Sequence, residues 1–463
     1  MPAAGQTAGQ AAESPLYSIG YGALLLLLFI VFSRMAETIA VVTGANLRLA
    51  MGLLLISIGV AVIQRDAIRR CRNRTGILLF VLTAWFLFCV PTSVHKGGSV
   101  RYLLTVWAST LITAICVLIY PSNTASLRRI LYAISAGILL VTFARTDEAS
   151  VFTLGALGNP NLYGQHLLYG VPFLALPIVR NGLASIKSVI AAACAAVLIV
   201  KVLNTGSRAS LIAIFILGLV FFANLPVLKK LLAIVCMIPA VAIVLIALPE
   251  QARQRYGTIF SSDGIAHTTE ETSAIESGNA RRRHLEQSID LTIRNPIFGV
   301  GPGMFPVASA SYSAELGEKA FWKETHNSFT QISSETGLIG LILYLAMLLS
   351  ATASLWHSAR VTRRAPPGSE LQEAGQIANM LLISMLAIVV TGMFSSSAYL
   401  QYFPLLCAFA AVIARIVEAN SVPVASRSRP SPTRPQQPKL FPTPVQNSMP
   451  GRGLSPRPFQ GES

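Results

Sequence analysis

The stretch YSIGYGALLLLLFIVFS, residues 17–33, decides the fold. It holds no charged residue, and it approaches the roughly 20 apolar residues a helix needs to cross a hydrocarbon core about 30 Å thick. Working outward from it, runs of the same kind lie at about 46–64, 76–92, 101–120, 127–144, 162–179, 186–203, 209–225, 228–248, 329–354, 377–396 and 399–418. The expected fold is therefore all-α: a polytopic integral membrane protein of about 12 transmembrane helices. Composition agrees. The 463 residues are 53% hydrophobic and 12% charged, with a mean hydropathy of +0.59, whereas soluble domains carry about a quarter charged residues. A water-soluble globular enzyme is excluded on that comparison. So is a disordered chain, which needs low hydrophobicity and high charge. Residues 1–16 lack Lys and Arg, and no small-residue cleavage site follows the first run, so it reads as a span and not as a removable signal peptide.

Net charge is +16, from 36 basic and 20 acidic residues. A nucleic-acid binder would gather such charge on a polar domain. Here it sits in short gaps between apolar runs, so no nucleic-acid partner is expected. Alternate gaps hold Arg65, Arg69, Arg70, Arg72 and Arg74; Arg128 and Arg129; Arg180 and Lys187; Lys229 and Lys230; and Arg360, Arg363 and Arg364. Lys and Arg mark the cytoplasmic side of membrane proteins. That orients residues 1–16 as a cytoplasmic N-terminus, 17–248 as spans 1–9, 249–328 as one long loop with helices on the far side between spans 9 and 10, and 329–418 as spans 10–12. Residues 419–463 are rich in Pro, Ser and Arg and read as a disordered basic cytoplasmic tail. Such a tail either is simply solvated or touches anionic lipid headgroups. Five of the six cysteines, Cys89, Cys116, Cys194, Cys236 and Cys407, fall in apolar runs. Cys71 lies in an Arg-rich gap, so there is no disulfide framework.

The polar motifs collect on the far side. Lys323-Glu-Thr-His326-Asn327 leads into the tenth span, with Gly337 eleven positions after His326. In a continuous helix that is about 20° past three full turns, which sets Gly337 below His326 on one face. Glycine there leaves room for a lipid chain or a neighbouring helix. A rim histidine can take a proton from a sugar hydroxyl near pH 7; alone, it equally fits ordinary interfacial hydrogen bonding. Asn204-Thr-Gly-Ser-Arg208 enters the eighth span. Arg208 can snorkel, or it can offer a charged fork to phosphate oxygens. Asn279-Ala-Arg281-Arg282-Arg283-His284 reads either as a solvated basic face or as a surface with some arginines turned to the membrane. Gly158-Asn-Pro-Asn161 fits a turn whose amides could also meet a polar headgroup. The Asp-x-Asp pair of a nucleotide-sugar metal site is missing, as are other metal spacings and a phosphate-binding glycine loop. No cofactor and no metal are expected.

Taken in order, Gly158-Asn-Pro-Asn161, Thr205-Gly-Ser-Arg208, the Arg281 region running into Asn295-Pro-Ile-Phe-Gly-Val-Gly301, and His326-Asn327 with Gly337 resemble the O-antigen ligase and polymerase superfamily of bacterial envelope glycosyltransferases. The resemblance covers roughly residues 20–418. It implies a bacterial inner-membrane enzyme with a periplasmic active site, a donor glycan on undecaprenyl diphosphate and, for a ligase, lipid A–core as acceptor. It maps the catalytic residues to His326, Arg208 and Arg281. Arg282, Asn161, Asn327 and Gly337 are expected to contact substrate. The family usually places a Trp four residues after the loop arginine, where this chain has Leu285, so the register among Arg281, Arg282 and Arg283 stays open. O-antigen polymerase is the nearest alternative. A membrane lipid or glycan transporter is the alternative from another class, with ionisable residues expected near the bilayer midplane and not at one rim.

Overall fold

The computed structural model describes residues 15–421, apart from 45–47, 65, 144–154, 183, 224–226, 228–229, 232–233, 236–245, 247, 258–268, 316 and 318–321. The tail beyond 421, residues 1–14 and most of the ninth apolar run lie outside the described residues. Within them the chain is helical, with no strand. Eight helices are long and apolar enough to cross a membrane: Pro15–Ser33, Lys96–Ile119, Thr124–Val141, Pro160–Asn181, Ile186–Asn204, Ser328–Arg364, Glu370–Gly392 and Tyr402–Ser421. Three more apolar helices, Leu49–Ile63, Arg74–Cys89 and Arg208–Ala223, are shorter. Sixteen residues of helix rise about 24 Å, a little under a hydrocarbon core. In that setting a helix is favoured because it satisfies its own backbone polar groups. Polar caps mark where several helices begin. Asn73 accepts from the Gly76 amide, Asn123 forms a reciprocal capping box with Ser126, and Ser369 accepts from the Gln372 amide. Each such cap is worth about 1 kcal/mol.

Several of the basic gaps come together at one end of the bundle. Arg70 donates to the Ile119 carbonyl at 2.6 Å, and Arg415 donates to the carbonyls of Leu118 and Pro121 at 2.9 and 2.7 Å. The Leu118 and Ile119 carbonyls end the helix Lys96–Ile119 and have no partner within it, and Pro121 follows that helix. Beside them Arg128 and Arg180 share the carboxylate of Glu373. Glu370 accepts from the Thr124 amide at 3.0 Å.

The opposite end is built around a break in the long helix Ser328–Val361. Gly337 has φ 71° and ψ −177°, and a Cβ there would overlap the Ile297 carbonyl. The continuous helix expected from the sequence is therefore not what forms, and the phase relation between His326 and Gly337 drawn from it does not hold. The space beside Gly337 is filled by the backbone of Pro296 and Ile297, from the Asn295-Pro-Ile-Phe-Gly-Val-Gly301 motif. The break frees backbone groups, and the motif takes them up. Leu338 N–H donates to the Pro296 carbonyl at 2.8 Å; Val300 and Gly301 N–H donate to the Ser334 and Glu335 carbonyls at 2.8 and 2.9 Å. Trp85 donates its indole N–H to the Thr336 carbonyl at 2.9 Å. The buried Glu335 carboxylate accepts from Gly303 N–H at 2.8 Å and from Phe305 N–H at 3.4 Å, at the start of the helix Phe305–Glu315. Two motifs well separated in sequence thus lock together, and they fix the loop helices on the bundle.

Candidate functional site

His326 sits one residue before the cap of the Ser328–Val361 helix. Asn327 is that cap: its Oδ1 accepts from the Phe329 and Thr330 amides at 2.9 and 3.2 Å. His326 itself has φ 54°, in the left-handed region, which is uncommon for a residue with a Cβ and needs support from its surroundings. The support comes from the turn between the last two long helices. Ser396 Oγ accepts the His326 N–H at 2.8 Å, and Ser328 donates to the Ser395 carbonyl at 2.7 Å. The imidazole is half-buried in the wall of a cavity of about 610 Å³, whose lining includes Asn159, Arg255, Arg281, Arg283 and Lys323.

The far wall is the helix Thr269–Arg294. Glu276, Ala280 and Arg283 line the cavity, at i, i+4 and i+7 along one face. Arg281 also reaches it. Arg282 lies about 200° round from Ala280. Its side chain is 81% exposed and pairs with Glu286 at 3.0 Å. His284 is 3% exposed, with its ring 6.0 Å from that of His326. Its Nδ1 has no hydrogen-bond partner among the described residues.

The Thr205-Gly-Ser-Arg208 motif approaches from the bundle. Gly206 adopts φ 63°, and the Arg255 side chain packs against it. The helix carrying Arg255, Glu250–Gly257, is tied down by Tyr256, whose hydroxyl donates to the Leu203 carbonyl at 2.7 Å. Arg208 Nη2 reaches the Thr269–Arg294 helix at Gly278. Asn161 lines the cavity, yet its amide is engaged on both sides. Ser207 donates to Oδ1 at 2.7 Å, and Nδ2 donates to the Phe394 carbonyl at 3.2 Å.

Positive charge crowds this site. Burial lowers the Arg281 guanidinium from its ordinary value, and Arg208 and Arg255 lower it further. Burial pushes the His326 imidazole down to about 4, with Arg281, His284 and Lys323 adding to the effect. His284 is lowered too, chiefly by burial, then by Lys323 and Arg283 against an opposing contribution from Gln287. At neutral pH both rings are therefore uncharged. The cavity as it stands suits an anion, with a neutral imidazole beside it. Among the described residues no three His, Cys, Asp or Glu side chains group as a metal site would.

Of the residues singled out in the sequence, His326, Arg281 and Asn161 line the cavity, and Arg208 stands against its far helix. Arg282 points away from it, Asn327 is occupied in capping, and Gly337 is closed off behind the Pro296–Ile297 backbone. Arg283, Arg255, Lys323 and Asn159 join the lining. Arg255 carried no local motif, because what selects it is its packing on Gly206, 49 positions away. Lys323 was legible only as a neighbour of His326.

Fold and site together define a multi-pass membrane protein with an arginine-lined cavity at one end of its helices. Residues 192–345 match the O-antigen ligase family model. That stretch takes in Arg208, Arg255, Arg281, Arg283, Lys323 and His326, and stops short of the Asn159–Asn161 turn. No curated protein matches the chain.

Proposed function

We propose that this protein is an O-antigen ligase, which transfers the glycan from undecaprenyl diphosphate to lipid A–core on the periplasmic face of the bacterial inner membrane. Twelve spans with both termini in the cytoplasm would put the cavity on that face. One observation carries the reading: a neutral histidine, His326, shares a cavity wall with Arg281, Arg283, Arg255 and Lys323, inside the stretch that matches the family. The chemistry needs those two features together. The acceptor hydroxyl oxygen forms a bond to the anomeric carbon, and the carbon–oxygen bond to the diphosphate breaks. The electron pair leaves with the diphosphate, where Arg281 and Arg283 meet the growing charge in a partly dry site. The hydroxyl proton passes to His326. Attack opposite the leaving group inverts the anomeric centre, with no covalent sugar intermediate.

The low pKa of His326 fits this sequence of events. Burial, helped by the surrounding cations, holds His326 neutral. A bound diphosphate offsets those cations and raises the basicity of the ring when it is required. The test is to incubate purified protein with undecaprenyl-diphosphate O-antigen and lipid A–core in the presence of chelator. Wild type should form lipopolysaccharide, and His326→Ala should lose about 10²–10⁴ in rate. Full activity of His326→Ala removes it as the base. Lengthening of the undecaprenyl-linked glycan without ligation makes the protein a polymerase.

A further inference from the structure

A second cavity, about 400 Å³, lies at the basic end, away from His326. Val62, Ile77, Phe80 and Ile115 form its sides, Ile68 projects beside it, and Arg72 lines it as well. Its character is almost wholly apolar. Val62, Ile68, Ile77 and Phe80 are all exposed, Ile68 at 84%, so the groove opens outward where acyl chains would lie. A bare apolar groove on a membrane protein meets lipid of any kind. This one carries a charge signature too.

The segment 66–74 holds Arg69, Arg70, Arg72 and Arg74 against the single carboxylate of Asp66. Arg70 is used on the Ile119 carbonyl and Arg415 stands behind it, on Leu118 and Pro121. Arg69, Arg72 and Arg74 are exposed and form no ion pair among the described residues. An apolar cleft ending in uncompensated arginines matches an amphiphile with a chain at one end and an anion at the other. We propose that this groove holds one anionic phospholipid, its phosphate at Arg72 and an acyl chain along Val62 and Phe80. A zwitterionic lipid would fill the same cleft and leave the arginine excess unmatched. Each basic residue near a headgroup surface favours anionic lipid about fivefold.

The test uses the full chain, delipidated in detergent and offered equal amounts of phosphatidylglycerol and phosphatidylcholine. Retained lipid is counted by native mass spectrometry. Wild type should keep phosphatidylglycerol at least about fivefold over phosphatidylcholine. Arg72→Gln should lose that preference and Arg72→Lys should keep most of it. Ile68→Trp, which narrows the cleft with every arginine intact, should lower retention by a second route. Arg129→Gln, at the same end but outside the groove, should behave as wild type. Equal retention of the two lipids by wild type overturns the proposal. So does a preference that survives Arg72→Gln, or one that falls equally in Arg129→Gln.

Discussion

Arginines gather at both ends of this bundle, and the two gatherings are built differently. At the basic end Arg70 and Arg415 cover the carbonyls that close a helix, and Arg128 and Arg180 share Glu373. Those guanidiniums hold structure together. At the cavity end Arg281, Arg283, Arg255 and Lys323 face a common space with Glu276 as the acidic side chain in the lining, and Arg281 is disfavoured as a cation by burial and then by Arg208 and Arg255. Here positive charge is concentrated around one space. The contrast teaches that the same residue type, at the same kind of membrane edge, is read by what answers its charge.

The largest expected effect follows from that contrast. Arg281→Gln should cut transfer about 10²–10³-fold, the usual loss when one charge-stabilising donor is removed from a reacting centre. It should also raise the melting temperature in detergent, because it relieves like-charge crowding; strained sites commonly trade stability for activity. Arg128→Gln should do the reverse. It strips a partner from Glu373 and costs about 1–2 kcal/mol, softened by the remaining Arg180, with turnover near wild type. If Arg281→Gln lowers activity and melting temperature together, Arg281 is a structural arginine and the contrast fails.

A middle-sized effect lies in pH dependence. His326 has its imidazole depressed to about 4, so the base is present above that pH and is lost as pH falls through it. The acid limb of kcat/KM reports the free enzyme and should lie near 4, well below an ordinary histidine. The limb of kcat reports the complex, where the diphosphate offsets the cations, and should lie higher. In Arg281→Gln the kcat/KM limb should move up toward 6.5, because one cation beside the ring is gone. Coincident limbs near 6.5 in both proteins would mean that His326 does not sense Arg281.

Much of the fold was legible because membrane spans announce themselves by unbroken apolar runs such as 17–33, and because Lys and Arg mark one side. The break at Gly337 was not. The pattern Glu335-Thr-Gly-Leu-Ile-Gly340 reads as continuous helix, and only the backbone of Pro296–Gly301, packed into the gap, makes the left-handed glycine necessary. The site was legible in part for the same reason. His326 and Arg208 stand at the edges of spans, where a lone polar residue is conspicuous. Asn161 also lines the cavity, but its amide is spent on Ser207 and Phe394. Arg283 and Arg282 are identical letters, and only the helix phase separates them.

That phase gives the smallest and most discriminating prediction. Arg282 and Arg283 carry the same charge within one turn of the helix, so any long-range field they add at the cavity differs little between them. Arg282 is exposed and paired with Glu286, and Arg283 lines the cavity. If Arg283 acts by direct contact with the diphosphate, Arg283→Gln should weaken transfer clearly at every salt concentration. Arg282→Gln should stay within about twofold in rate and about 0.5 kcal/mol in stability, as exposed substitutions usually do. If the cavity works instead by bulk attraction, the two variants should lose activity alike. Both losses should then fade as salt is raised, because exposed charges are screened beyond about 8–10 Å at ordinary ionic strength. A rate series for the two variants across salt therefore separates a placed guanidinium from a merely positive surface.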